Sequence, residues 1–469
     1  MGSRLTSDVA FRTGRKQYCI QWAINLVGLL NSEAASGRIL MSNRVVIVGG
    51  GWAGSAAAIS ARKAGADQVI LLERTDSLLG TGLVGGIMRN NGRFTATEEM
   101  MQLGGGDLFM VCDENSRHVN MEFPGHKHAS IYDVAKIEAA VKRCLVDHGV
   151  EIWTFSRITD VEVSNGSIVA VFLEGGTRVE GDVFLDTTGT CGGQTLCTDN
   201  GNGCVMCVIR CPTFGPRVSL AGLCGIEERT GRKPDGSYGA MSGSCKLSKE
   251  TIDPKIIEEL ERTGLAIIPL PKELINESKL GSKACAQYAM KEYAENIILL
   301  DTGHVKLMTP FTPLHELRQL PGMEEVKYVD PYAGTMGNSM RFADIAPRDD
   351  ALQVQGDIDN LFCGGEKAGL LVGHTEAIVT GTIGGHNAVR ALAGKDLLQV
   401  STKLTVGDAI KNVREEMDME GGLGKKYTFS GSVYFNRMKD KKLYTTDVGV
   451  IKKRVADAGL TGVLEQKVA

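Results

Sequence analysis

Between an apolar run and an alanine-rich run, the chain carries Gly49-Gly50-Gly51-Trp52-Ala53-Gly54, a Gly-x-Gly-x-x-Gly spacing that few folds accommodate. Arg44 to Val48 reads as a buried strand and the following stretch to about Ala64 as a helix, so the glycines occupy a strand-to-helix turn. A second apolar strand, Gln68 to Leu72, ends in Glu73, nineteen residues after Gly54. Each glycine has its own reason. Gly49 permits a tight turn, Gly51 lets the backbone approach a pyrophosphate, and Gly54 lets the helix pack on the strand. The helix start offers free amides and the positive end of its dipole to phosphate, and an acid at the end of the second strand suits ribose hydroxyls. Together these features predict a dinucleotide site on a parallel α/β sheet, with Trp52, Ala53 and Arg74 beside it as further binding residues.

The rest of the chain supplies pieces for such a sheet. Tyr132 to His148 predicts a helix whose buried face is Val134, Ile137, Val141 and Leu145, followed by a strand from Val150 to Phe155. Thr159–Ser164 and Ser167–Leu173 predict a hairpin, because Asn165-Gly166 is the dipeptide that a two-residue type I′ turn favours. Asp182 to Leu185 runs into the turn Asp186-Thr187-Thr188-Gly189, and Asn360 to Glu366 is another strand-to-turn ahead of a helix rich in Gly, Ala and Thr from about Thr375 to Leu392. At 469 residues the chain exceeds what one core sustains, so two or three domains are expected.

This order of motifs over residues 44–395 resembles the FAD-dependent oxidoreductases of the glutathione-reductase type. Within them, Thr188-Gly189-Thr190, Gly215-Pro216-Arg217 and the stretch from Gly369 to Ala388 are similar to the GidA and TrmFO flavoproteins, which modify tRNA uridines. The resemblance implies an α/β fold: a Rossmann-type FAD-binding domain, parallel sheet plus β-hairpin layer, formed by 41–190 and 345–400. An α+β substrate and cysteine-rich region (191–344) is inserted into it, and 401–469 forms a small C-terminal region. It also implies that Gly49, Gly51, Gly54 and Glu73 bind the ADP half of FAD and that Gly189 closes the sheet beneath it. Gly365 and Glu366 would reach the ribityl or pyrophosphate region, and Gly373 would begin a helix facing the flavin. His374 is then the candidate catalytic residue, with a helix cap as its structural alternative. No second Gly-x-Gly-x-x-Gly follows a strand, so a separate NAD(P)H domain is not expected.

Seven of the twelve cysteines lie between 191 and 245. Cys204-x2-Cys207-x3-Cys211-Pro212 repeats the last three positions of a bacterial iron–sulfur signature, and Cys224 is the preferred fourth ligand over Cys197 because Pro212, Gly215 and Pro216 turn the chain back after Cys211. The same thiols also suit zinc, a dithiol relay or plain buried cysteines, so metal binding is an expectation with alternatives. An iron–sulfur cluster would carry single electrons to or from the flavin, with NAD(P)H or a redox protein as the external partner; uridine modification in RNA and a flavin-bearing assembly or interaction factor without turnover are the alternative readings.

Fifty-two basic against fifty-six acidic side chains leave a charge of −4, which gives no overall positive field for nucleic acid. A local basic stretch, Lys425, Lys426, Lys439, Lys441 and Lys442, is interleaved with Tyr427, Phe429, Tyr434 and Phe435, which suits an RNA or acidic-protein contact less well than a solvated face. His126 and His128 are weaker catalytic candidates. No run reaches the ~18 apolar residues of a membrane span, and residues 1–40, with an apolar run from Cys19 to Leu30, are expected to be an extension outside the fold. A cytoplasmic homo-oligomer is expected.

Overall fold

The computed structural model describes residues 43–189, 213–232, 236, 240–241, 245–277, 280, 286–308, 312–329, 340–341 and 344–468. Its central sheet has five strands: β1 (Arg44–Val48), β2 (Gln68–Leu72), β3 (Glu151–Trp153), β4 (Val183–Asp186) and β5 (Leu361–Cys363). They lie in the order β5-β4-β1-β2-β3, and every pairing is parallel. Val, Ile and Leu fill β1 and β2, and their side chains are almost wholly buried, as a sheet covered on both faces requires. This is the doubly wound order in which ligands bind beyond the carboxyl ends of the strands. The sequence therefore places β1, β2, β4 and β5 correctly, and β5 arrives from far along the chain to extend the sheet beside β4.

Two helices cover one another across the top of this sheet. Helix α1 (Trp52–Ala64) follows β1, and α3 (His374–Leu392) follows β5. They touch through small residues: a Cβ on Gly381 would lie 2.1 Å from the Ala53 carbonyl oxygen, and one on Gly385 would lie 2.2 Å from that of Ala57. Between them in the chain, α2 (Gly92–Leu103) joins the same core.

The hairpin forms at Ile158–Ser164 and Ser167–Leu173, with Asn165 and Gly166 both at positive φ as a type I′ turn demands, and Arg178–Glu180 adds a third strand. One element differs. Tyr132 ends a strand, His126–Tyr132, and the helix begins only at Ile137, because the Asp133 carboxylate accepts from Ala135 N at 2.9 Å and holds a turn between them.

Within 191–344, a four-stranded antiparallel sheet runs in the order 245–247, 305–307, 296–301, 265–269. One face forms its own core around Leu247, Leu260 and Leu299, and Ile298 and Leu300 pack against Ile87, Phe123 and Ile131 of the first segment. The C-terminal residues carry α4 (Thr405–Met417), α5 (Ser432–Asp440) and α6 (Val448–Asp457), whose buried side chains Val406, Tyr434 and Val455 share the core of the central sheet. Among the described residues, no helix is long and apolar enough to cross a membrane.

Candidate functional site

A cleft opens beyond the carboxyl ends of β1, β2 and β4. Its lining includes Gly49, Gly51, Trp52, Ala53, Glu73, Arg74, Gly189, Gly365, Glu366, Gly373 and His374, so the structure gathers eleven of the sequence-derived residues from five separate segments. Gly54 lies beneath it rather than on its wall.

The glycines of the turn divide into two kinds. Gly49 has φ +104°, and a Cβ there would sit 2.5 Å from the Thr187 carbonyl oxygen; a Cβ on Gly54 would sit 1.9 Å from that of Gly49. Both are needed by the protein's own packing. A Cβ on Gly51 meets nothing within 4 Å, and the same holds at Gly189, which has φ +74°. Those two leave bare backbone facing space. Thr187 Oγ1 lies 2.8 Å from the carbonyl oxygens of both Val48 and Gly49 and ties the β4 turn to the glycine turn. The Glu73 carboxylate accepts from Gly50 N at 2.9 Å, from Thr75 N at 2.9 Å and from Thr75 Oγ1 at 2.8 Å, which fixes it at the cleft edge.

Three arginines flank this end. Arg74 donates to the Gly215 carbonyl oxygen and Arg157 to that of Pro216, and both line the cleft together with Arg217. Residues 213–218 thus form a strap held by its carbonyls.

At the other end, α3 starts at His374 after Gly373, whose φ of +146° suits glycine. The nineteen-residue helix directs its first amides and positive dipole end here. His374 Nδ1 lies 3.3 Å from the Tyr132 hydroxyl, and its ring is 6.1 Å from that of Trp52. Arg93 Nε lies 3.1 and 3.2 Å from the two Glu376 oxygens, and Glu376 also accepts from Thr428 Oγ1 and Phe429 N at 2.7 and 2.8 Å. This buried pair locks the start of α3 to the C-terminal region. Below the cleft, the wholly buried Lys367 ammonium donates to Ser219 Oγ at 2.9 Å and to Glu228, and lies 4.0 Å from Asp186. Asp186 also accepts from Ala221 N at 2.9 Å, so the chain after the strap is fastened under β4.

Tyr132, Arg93, Glu376 and Lys367 escaped sequence reasoning. None belongs to a spaced motif, and each acquires its role from a partner in another segment. The one local signal was the four-residue spacing shared by Gly381-x3-Gly385 and Ala53-x3-Ala57, which marks a close helix contact.

Other candidates fall away from the cleft. His126 is buried against Phe123 and Tyr288, with ring centroids 4.5 and 4.9 Å apart, and burial holds it near pKa 3, a neutral core histidine. His128 Nδ1 lies 3.1 Å from Asn120 Oδ1. In the basic stretch, Tyr427, Phe429 and Tyr434 are core residues, Lys425 pairs with Glu416 at 2.7 Å, and Lys441 and Arg437 pair with Asp408 at 2.5 and 2.8 Å. The aromatic platform that stacking on RNA bases needs is therefore not offered by these three rings.

Cys204, Cys207 and Cys211 lie outside the described residues. Cys224, their expected fourth partner, follows the short helix Leu220–Leu223, and burial followed by the nearby Asp186 charge pushes its thiol up to about 12. Among the described residues, no group of three or more His, Cys, Asp or Glu side chains is arranged to hold a metal ion.

A sequence-family model described as glucose inhibited division protein A matches residues 44–296 and 305–396. Two crystal forms of Aquifex aeolicus GidA share the fold. Form II superposes with a TM-score of 0.63 at 17% identity, covering 92% of this chain and 75% of that one. For form I the values are 0.55, 16%, 88% and 78%. No curated protein matches the sequence.

Proposed function

This chain belongs to the glucose inhibited division protein A family of FAD-binding, Rossmann-type flavoproteins, and on that premise we propose that it is an FAD-dependent oxidoreductase with its reaction face at the His374 end of the cleft. One observation carries the reading: Gly51 and Gly189 present bare backbone to open cleft space while Gly49 and Gly54 are consumed by packing. That is the cradle a dinucleotide requires, and a side chain at either open position would fill it. The amides at the start of α1 would hold the pyrophosphate, Glu73 the ribose, Gly365 and Glu366 the ribityl region, and Gly373 with the first amides of α3 the ring. When bound, the flavin supplies two-electron and one-electron chemistry that no side chain provides. The chain's own part is to orient it on rigid helix ends, to exclude water with the 213–218 strap, and to place His374 at the reacting end.

For the electron partner, the reading is a cluster on Cys204, Cys207, Cys211 and Cys224, or else an external redox protein or NAD(P)H. A second reading, uridine modification in RNA, is favoured by the family membership itself. The test is a visible spectrum of anaerobically purified protein with FAD, iron and sulfide assays, followed by tRNA binding across a salt series. Flavin with iron and sulfide supports the first reading. Flavin without metal but with tRNA affinity that falls steeply with salt supports the second, and colourless protein without FAD overturns both.

A further inference from the structure

The contact between His374 and Tyr132 fixes where the histidine carries its proton. The Tyr132 hydroxyl lies 2.7 Å from the Gly82 carbonyl oxygen and 3.3 Å from His374 Nδ1. A carbonyl oxygen only accepts, so the single hydroxyl hydrogen goes to Gly82. The phenol keeps that hydrogen, because burial, the largest influence on it, pushes its ionisation well above the ordinary tyrosine range. The hydroxyl oxygen is then an acceptor toward His374, which requires a hydrogen on Nδ1.

The surroundings are built around this pair. A Cβ on Gly85 would fall 1.7 Å from His374 Cε1, 2.5 Å from Nδ1 and 2.8 Å from the Tyr132 hydroxyl, so only a residue without a side chain lets the two rings meet. The buried Lys306 ammonium, from the inserted sheet, donates to the carbonyl oxygens of Val84 and Gly85 and holds that backbone against the histidine. Trp52 meets the Tyr132 ring edge-on at 5.8 Å.

We propose that Tyr132 is a positioning residue that holds His374 in the tautomer protonated at Nδ1, leaving Nε2 as the ring's basic nitrogen. The which-nitrogen question decides chemistry, since the hydrogen bond at one ring nitrogen sets the character of the other. With Nδ1–H committed to Tyr132, Nε2 accepts. What Nε2 faces rests on the proposed function; the tautomer does not.

The experiment is ¹⁵N NMR of the full chain labelled at histidine, which has eight such residues, with His374 identified by the signals lost in His374→Gln. At a pH where the ring is neutral, the wild type is expected to show a protonated Nδ1 and an unprotonated Nε2. Tyr132→Phe keeps the ring but removes the acceptor, and is expected to move the population several-fold toward the Nε2–H form. A wild-type His374 protonated mainly at Nε2 overturns the proposal, as does a folded Tyr132→Phe protein with an unchanged His374 signal. Should Tyr132→Phe fail to fold, the wild-type spectrum decides alone. FAD released from the same samples is measured by absorbance: no flavin beside an Nδ1–H histidine refutes the functional reading and leaves the tautomer standing, and the converse result refutes only the tautomer.

Discussion

The two ends of the cleft are built by different rules. The Glu73 end is made mainly from one continuous stretch, Arg44 to Thr75, in which the backbone turn, the helix start and the acid follow one another at fixed spacing. The His374 end is assembled from six separate segments: Trp52, Gly82–Gly85, Arg93, Tyr132, Lys306 and residues 373–376 at the start of α3. A local motif specifies geometry by steric necessity alone. An assembled site depends on the whole core around it, so it can change its chemistry while the nucleotide end stays the same.

Five changes probe this difference, the largest effect first. Gly54→Val forces side-chain atoms into the Gly49 carbonyl oxygen, where even a Cβ would stand 1.9 Å away, and no soluble folded protein is expected by circular dichroism and size-exclusion chromatography. A well-folded Gly54→Val protein would show that the turn tolerates more than its geometry allows. Next, Arg93→Ala leaves Glu376 buried without its cation and should cost about 3–5 kcal/mol in urea denaturation, unsettling the His374 end first. Gly51→Val is the contrast to Gly54. Its side chain enters open cleft, so stability should stay within about 1 kcal/mol of the FAD-free wild type while bound FAD is lost. Equal flavin content in the two proteins refutes the cradle.

The third step down concerns pH. Glu99 of α2 accepts from Thr405 N at 2.9 Å and Val406 N at 3.0 Å, yet its complete burial outweighs these bonds and raises it to about 7. Because the folded value is above the unfolded one, the folded state binds the extra proton. This contribution is fully present below about pH 4.5 and is lost as pH rises through 7, a fall on the order of 3 kcal/mol by linkage. Urea midpoints at pH 5 and pH 8 should therefore differ more in the wild type than in Glu99→Gln. The smallest effect belongs to Lys441→Ala: Arg437 still neutralises Asp408 and Lys441 is partly exposed, so the loss should stay below about 1 kcal/mol and shrink in salt.

The same contrast explains what was legible. The strands at 44–48, 68–72 and 361–363, the helix from 374, the Asn165-Gly166 hairpin and the cleft glycines announce themselves through periodicity or through conformations that only certain residues adopt. Val134, Ile137, Val141 and Leu145 keep helical spacing and draw Tyr132 into the predicted helix, whereas the turn held by the Asp133 side chain delays the helix start to Ile137. The basic and aromatic stretch after 424 reads as a solvated face because lysines are interleaved with its rings, while the burial of Tyr427, Phe429 and Tyr434 depends on packing with the rest of the core. Lys367 gave no sign at all. A lysine with no exposed surface is intelligible only once Ser219 and Glu228 are seen around it.

The position of β5 and α3 in the chain also sets a timetable. On the ribosome, the alanine-lined face of α1 has no cover until residues 361–392 have been made, more than three hundred residues later. At ~5–20 residues per second this interval is on the order of tens of seconds. During that time the glycine turn exists but the wall formed by Gly365, Gly373 and His374 does not, so a nascent chain can hold at most one end of the dinucleotide. Flavin capture is thereby postponed to the last part of synthesis, and the exposed apolar face of the unfinished sheet is the surface on which a chaperone would act.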